Sequence, residues 1–179
     1  MNSNRIAFPL FFLFCFSLSA QTTKAGPVVT DFGKVYRIEN PDFKVEKERE
    51  YKAVIDVTGS WDEHEKRNAL IETAARFLNM HAQSGVPASQ LKVALVMHGG
   101  ATKDIISNAA YQEKFGTDNP NLALVNSLLE LDVPIIICGQ SANYRGISRE
   151  EFIPGVQLSL SAMTALVHLQ SEGYQLIKF

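Results

Sequence analysis

One thiol, three glycine-containing turns and one arginine carry the chemistry this sequence offers. Cys138 closes the run Val133-Pro134-Ile135-Ile136-Ile137 and is followed by Gly139-Gln140-Ser141. A cysteine attacks as its thiolate, and a free thiol with a pKa of ~8.5 is only about 3% ionised at pH 7. Lowering that value by about two units makes the sulfur mostly anionic and requires ~2.7 kcal/mol of preferential anion stabilisation. Backbone amides at Gly139 to Ser141, the terminus of a following helix and the guanidinium of Arg145 are candidates to supply it. The competing reading makes Cys138 a packing residue, since cysteine is among the most often buried types and this one ends an isoleucine-rich strand.

Two more turns have related features, Thr58-Gly59-Ser60 and His98-Gly99-Gly100. Glycine lets backbone amides approach a ligand closely, although a tight strand-to-helix turn needs the same residue. Gly139-Gln140-Ser141-Ala142-Asn143 approaches G-x-S-x-G but lacks the last glycine, so a serine hydrolase is a minor alternative. His168, the base such an enzyme would need, sits in an apolar stretch and reads as a packed helix residue. His64, His81, His98 and His168 show no metal-ligand spacing, and no cofactor or metal is expected. Trp61 either lines a pocket or staples a helix start.

These residues need a scaffold, and the patterning supplies one. Strands are expected at Tyr51 to Val57, Lys92 to Met97, Val133 to Cys138, around Val156 to Leu158, and at Tyr174 to Lys178. Between them, Ser60-x-x-Glu63 resembles a capping box that opens a long helix carrying Leu70, Ala74, Phe77, Leu78 and His81 inward. Ser107 caps a short helix ending near Gly116, and Asn119-Pro120 opens another with Leu122, Val125, Leu128 and Leu129 on one face. A last helix over Ser159 to Glu172 turns Leu160, Ala162, Ala165, Leu166 and Leu169 inward. Strand and helix alternate about five times, which implies right-handed crossovers and a parallel sheet between helices. The fold class is therefore α/β, a three-layer α/β/α domain with a mainly parallel sheet of about five strands. In such sheets ligands collect beyond the carboxyl ends of the strands, where all three turns fall.

The chain of 179 residues suits one such core and is short for two domains. Its 17 Lys+Arg against 19 Asp+Glu exclude a generally basic surface, so nucleic acid is not an expected partner. Residues 1–20 have Arg5 ahead of the apolar stretch Ile6 to Ala20, the layout of a secretory signal peptide. That stretch is shorter than the ~20 residues of a bilayer span, and no membrane span is expected after cleavage. Cys15 would be discarded with it, leaving Cys138 as the one thiol of an exported protein, periplasmic or secreted. With no Asn-x-Ser/Thr sequon present, a bacterial envelope is favoured. Residues 21–50 form a polar N-terminal extension with a short strand at Val35 to Ile38, and 51–179 form the domain.

Val93-Ala94-Leu95-Val96-Met97-His98-Gly99-Gly100, the Cys138 strand end, the Tyr144-Arg145-Gly146-Ile147 turn and the Pro154-Gly155-Val156 step together resemble the DsrE/DsrF-like sulfur-relay family, in its exported branch. The resemblance implies a three-layer α/β/α fold and a homo-oligomer, trimer or hexamer. It also implies a cysteine at position 138 that accepts sulfane sulfur as a persulfide, with Arg145 and Gly146 matching the family's Arg-Gly. The implied partner is a sulfur donor or acceptor protein or a small sulfur species. Thr58, Gly59, His98, Gly99, Gly100, Gly139, Gln140, Ser141 and Gly146 are the expected ligand-binding residues around Cys138. The alternative is a non-catalytic oligomeric binding module with an inert cysteine.

Overall fold

The computed structural model describes residues 22–179, so the expected export segment lies outside the described residues. In chain order the elements are β1 (Thr23–Lys24), β2 (Val35–Tyr36), β3 (Tyr51–Val57), α1 (Ala69–Gln83), β4 (Leu91–Met97) and α2 (Asn108–Phe115). There follow α3 (Leu122–Leu129), β5 (Ile135–Cys138), α4 (Gly139–Tyr144), β6 (Gln157–Ser159), α5 (Ala162–Ser171) and β7 (Gln175–Ile177). Strands β6-β5-β4-β3-β7 make one five-stranded sheet in that order, parallel throughout. The expected α/β architecture is the one observed.

Apolar runs without alternation fit strands covered on both faces, and β3, β4 and β5 are such strands. Ile55, Leu95, Ile135 and Ile137 point into a large core under α1 and α3. Val54, Ala94, Val96 and Cys138 point to the opposite face, under α5. Each fully buried Ile or Leu contributes roughly 2 kcal/mol of transfer free energy. The chain steps from β3 to β6 in one direction, then α5 carries it back across the second face to pair β7 with β3. α5 is the only helix longer than two turns on that face among the described residues, and its core cluster is correspondingly small.

Four local expectations are corrected. The long helix starts at Ala69, not near Ser60: Asn68 is its cap and accepts from Leu70 N–H at 2.9 Å. The Ser60 hydroxyl donates instead to buried Asp104 at 2.8 Å, which holds residues 60–67 in a non-helical path. The inner face of α1 is also rotated from the expected one, with Ile71, Ala75 and Asn79 joining Ala74 and Leu78, while His81 stacks on Tyr51 and Phe77 at its edge. On α5 the expected inward set loses Leu160, which precedes the Ser161 cap and is 73% exposed. His168, expected to pack, is exposed and pairs with Glu172 at 3.2 Å.

The N-terminal extension folds onto its own domain. Asn79, fully buried on α1, accepts from the N–H groups of Val28 and Val29 and donates to the carbonyls of Val29, Phe32 and Gly33. One amide thus satisfies five backbone groups of residues 28–33. Replacing Asn79 with Ala leaves those groups unpaired in a dry site, and Asn79→Ala is expected to lose about 2–4 kcal/mol in urea denaturation. Limited proteolysis should then cut residues 22–50 before the sheet. An unchanged denaturation midpoint would show that the extension is held by other contacts.

Candidate functional site

The three turns converge, because β5, β4 and β3 are consecutive in the sheet and all end at the same edge. Ala101 N–H donates to the Thr58 carbonyl at 3.3 Å, and Gly99 N–H donates to the Ser141 hydroxyl at 3.1 Å. Gly99 is required there: its φ is +56°, and a Cβ would lie 2.9 Å from the Thr58 carbonyl oxygen. Gly139 has the same constraint on the other side, where a Cβ would sit 2.7 Å from the Ser159 carbonyl oxygen of β6. Gln140 reaches across to the Leu160 carbonyl at 3.3 Å. Gly59 uses its carbonyl to hold Asn68 at 2.8 Å. Gly146, with φ +62°, forms the turn after α4.

Cys138 is the residue before α4 and is 5% exposed. Burial opposes its thiolate, yet the thiol is held below its ordinary value. The Ser141 hydroxyl contributes most to the lowering, followed by backbone N–H groups of Ser141, Ala162 and Gln140. The Ser141 hydroxyl thus both accepts from Gly99 N–H and is the largest of the influences that favour the thiolate. The amide from Ala162, at the start of α5, was not apparent from the sequence. Its only signal was Ser161, whose hydroxyl caps that helix by accepting from Thr164 N–H at 3.1 Å.

Arg145 is the C-terminal cap of α4. It closes the far end of α4, roughly 10 Å from Cys138 by helical rise. There it lines an open cavity of about 870 Å³ with Trp61, Gly100, Lys103, Lys114 and Tyr144. The groups that lower the thiol are the Ser141 hydroxyl and the backbone N–H groups of Ser141, Ala162 and Gln140. Beneath the cavity, burial pushes the Asp104 carboxyl up, against hydrogen bonding from Asn68, the charge of Lys103 and the Ser60 hydroxyl. Trp61 lines the cavity and also donates to the Arg67 carbonyl at 3.1 Å.

His98 carries its own partner. Its Nε2 lies 2.6 Å from Asp56 Oδ1, and Lys178 Nζ lies 3.2 Å from Asp56 Oδ2. Asp56 and Lys178 were not singled out in the sequence. A charged residue between Ile55 and Val57 in a buried strand was the available signal. As for Ser141 as a hydrolase nucleophile, its hydroxyl accepts from Gly99 N–H, while His168 lies toward the other end of α5. Among the described residues no group of three or more His, Cys, Asp or Glu side chains is arranged to hold a metal ion.

A family profile described as DsrE/DsrF-like matches residues 52–179. The chain belongs to that family. The fold of this DsrE/DsrF-like chain is shared with a protein of unknown function, MTH1491 from Methanobacterium thermoautotrophicum. The identity is 16% and the TM-score 0.55, over 72% of this chain and 99% of that one. It is likewise similar to the ychN protein from E. coli, with 19% identity and a TM-score of 0.51 over 72% of this chain and 99% of that one. No curated protein matches the chain.

Because Ser141 supplies the main donor to the sulfur, Ser141→Ala should raise the Cys138 thiol toward its ordinary value. Alkylation by iodoacetamide at pH 7 is expected to slow by about three- to tenfold, with the two proteins converging above pH ~10 where both are ionised. Equal rates at pH 7 would show that the hydroxyl does not act on the thiol.

Proposed function

We propose that this protein is an exported sulfur carrier that holds sulfane sulfur as a persulfide on Cys138. The observation that carries the reading is the place of Cys138, at the carboxyl end of β5 where the turns after β4 and β3 converge on it, and the Ser141, Ala162 and Gln140 groups that lower the thiol support it. Family membership supports sulfur relay in general. In the transfer, the Cys138 thiolate attacks the terminal sulfur of a donor R–S–SH. A new S–S bond forms at Cys138, the donor's S–S bond breaks, and R–S⁻ leaves and takes up a proton. The sulfane sulfur keeps its oxidation state, so no oxidant, metal or organic cofactor enters. The same donors that favour the thiolate favour the persulfide anion. Arg145 and Lys103, on the cavity at the end of α4, would attract anionic sulfur donors.

Incubation with polysulfide is expected to give an intact-mass adduct one sulfur atom heavier, absent in Cys138→Ser. No adduct, with a thiol also inert to iodoacetamide in the folded protein, would remove this reading. The burial of Cys138 among Val54, Ala94 and Val96 favours the second reading, a non-catalytic oligomeric binding module in which the thiol is inert. In that case Cys138→Ala would change stability slightly and leave ligand binding intact.

Self-association belongs to the same proposal. α5 buries Ala162, Ala165 and Leu169 yet exposes Met163 and Val167 on its other side, beside Leu158 and Leu160 of the preceding segment. An exposed apolar stripe next to a thinly covered sheet face suits a second copy of the chain, in a trimer or hexamer. Light scattering should give that mass for the wild type and a monomer for Met163→Glu/Val167→Glu. A wild-type monomer would overturn the assembly.

A further inference from the structure

We propose that His98, oriented by Asp56, is the base that takes the thiol proton of Cys138 and returns it to the leaving group. The inference rests on the carrier reading of Cys138 but adds a proton path that the hydrogen bonds of Ser141 do not provide. Strand register puts the groups in a row. Met97 pairs with Ile137, the last pair of the β4–β5 ladder, and continuing that register by one residue sets His98 beside Cys138, neighbouring strands being about 4.8 Å apart. Both backbones are still extended, with φ −155° at His98 and −69° at Cys138, and alternation puts both on the α5 face with Val96. Asp56 pairs with Val96, one pleat behind His98 and on the same face as Val54. Ile55 pairs with Ile177, which sets Lys178 beside Asp56. A thiol, an imidazole, a carboxylate and an ammonium thus succeed one another across β5, β4, β3 and the end of β7.

Nucleophile, base and orienting carboxylate in that sequence are what activation of a thiol requires. A carboxylate held by Lys178 accepts, so His98 Nε2 carries the proton toward Asp56 and Nδ1 keeps the lone pair. The thiol proton passes to Nδ1, giving thiolate and imidazolium. After the thiolate has taken the donor's terminal sulfur, R–S⁻ recovers that proton, and both side chains return to their starting states. Asp56 acts through His98 and is a positioning residue. The charged groups facing His98 are Asp56 and, through it, Lys178. On α5, His168 and Glu172 pair with each other at the far end.

The test is the pH profile of Cys138 alkylation by iodoacetamide in the full-length protein. His98→Gln is expected to slow the reaction about tenfold at pH 6.5 while leaving it nearly unchanged at pH ~9.5, and Asp56→Asn should act in the same direction by a smaller factor. Lys178→Met, an exposed change, removes a cation that disfavours imidazolium and should speed the pH 6.5 reaction about twofold. Opposite signs from the two ends of the row cannot come from a loosened fold. Profiles unchanged in His98→Gln and Asp56→Asn overturn the inference, as does an unchanged Lys178→Met profile should the buried substitutions prevent folding. A wild-type thiol inert at every pH would instead sink the carrier reading itself.

Discussion

The hydrogen bond from Gly99 N–H to the Ser141 hydroxyl joins the carboxyl ends of β4 and β5, and the local arrangement follows from it. The same hydroxyl is the largest of the influences that hold the Cys138 thiol below its ordinary value. Two backbone constraints make that contact possible. Gly99 takes a left-handed conformation hard against the Thr58 carbonyl, and Gly139 lies hard against the Ser159 carbonyl. Side chains at either position would push β3 or β6 away, and the three strand ends would no longer meet. The thiol is therefore tuned by short-range donors in a dry site, where each such bond is stronger than in water.

Those donors explain why a nearly buried cysteine is not an inert one. Burial by itself penalises the charged form and would leave the sulfur neutral. Here the penalty is exceeded by one hydroxyl and three amides, two of them from the first turn of α4 and one from the start of α5. The guanidinium of Arg145 is at the opposite end of α4, on a cavity that it shares with Lys103 and Lys114. α4 thus separates two environments, an apolar one around the sulfur and a cationic one at the protein surface. A short helix between them has little freedom to change its length, so the spacing of the two is fixed by its six residues.

The two faces of the sheet are unequally protected, and this asymmetry bears on stability. α1 and α3 cover one face with a large cluster that includes Ile71, Leu78, Leu124 and Leu128, and the N-terminal extension is clamped to α1 by Asn79. Among the described residues the other face depends on α5 alone of the longer helices, and small residues at its contact, Ala162 and Ala165, bring it close to Val54 and Val96. Close approach is what lets the Ala162 amide reach the sulfur. The face that shapes the thiol is also the one with exposed apolar side chains around it.

Much of the scaffold was legible in the amino-acid order. Unbroken apolar runs marked β3, β4 and β5 within a residue or two, Ser107 and Gly116 bounded α2 as read, and Cys138 fell at a strand end. These are local signals, since periodicity, capping and turn chemistry act over a few residues. Ser60 was misread because its hydroxyl is claimed by Asp104, a partner far along the chain, leaving Asn68 to open α1. Leu160 precedes the Ser161 cap and so lies outside α5, while for His168 a helix with apolar residues all round does not show which side meets the sheet. Strand order and register decided the rest. They brought Asp56, His98 and Lys178 together from three separated segments, because side-by-side neighbours in a parallel sheet are set by pairing and not by sequence distance.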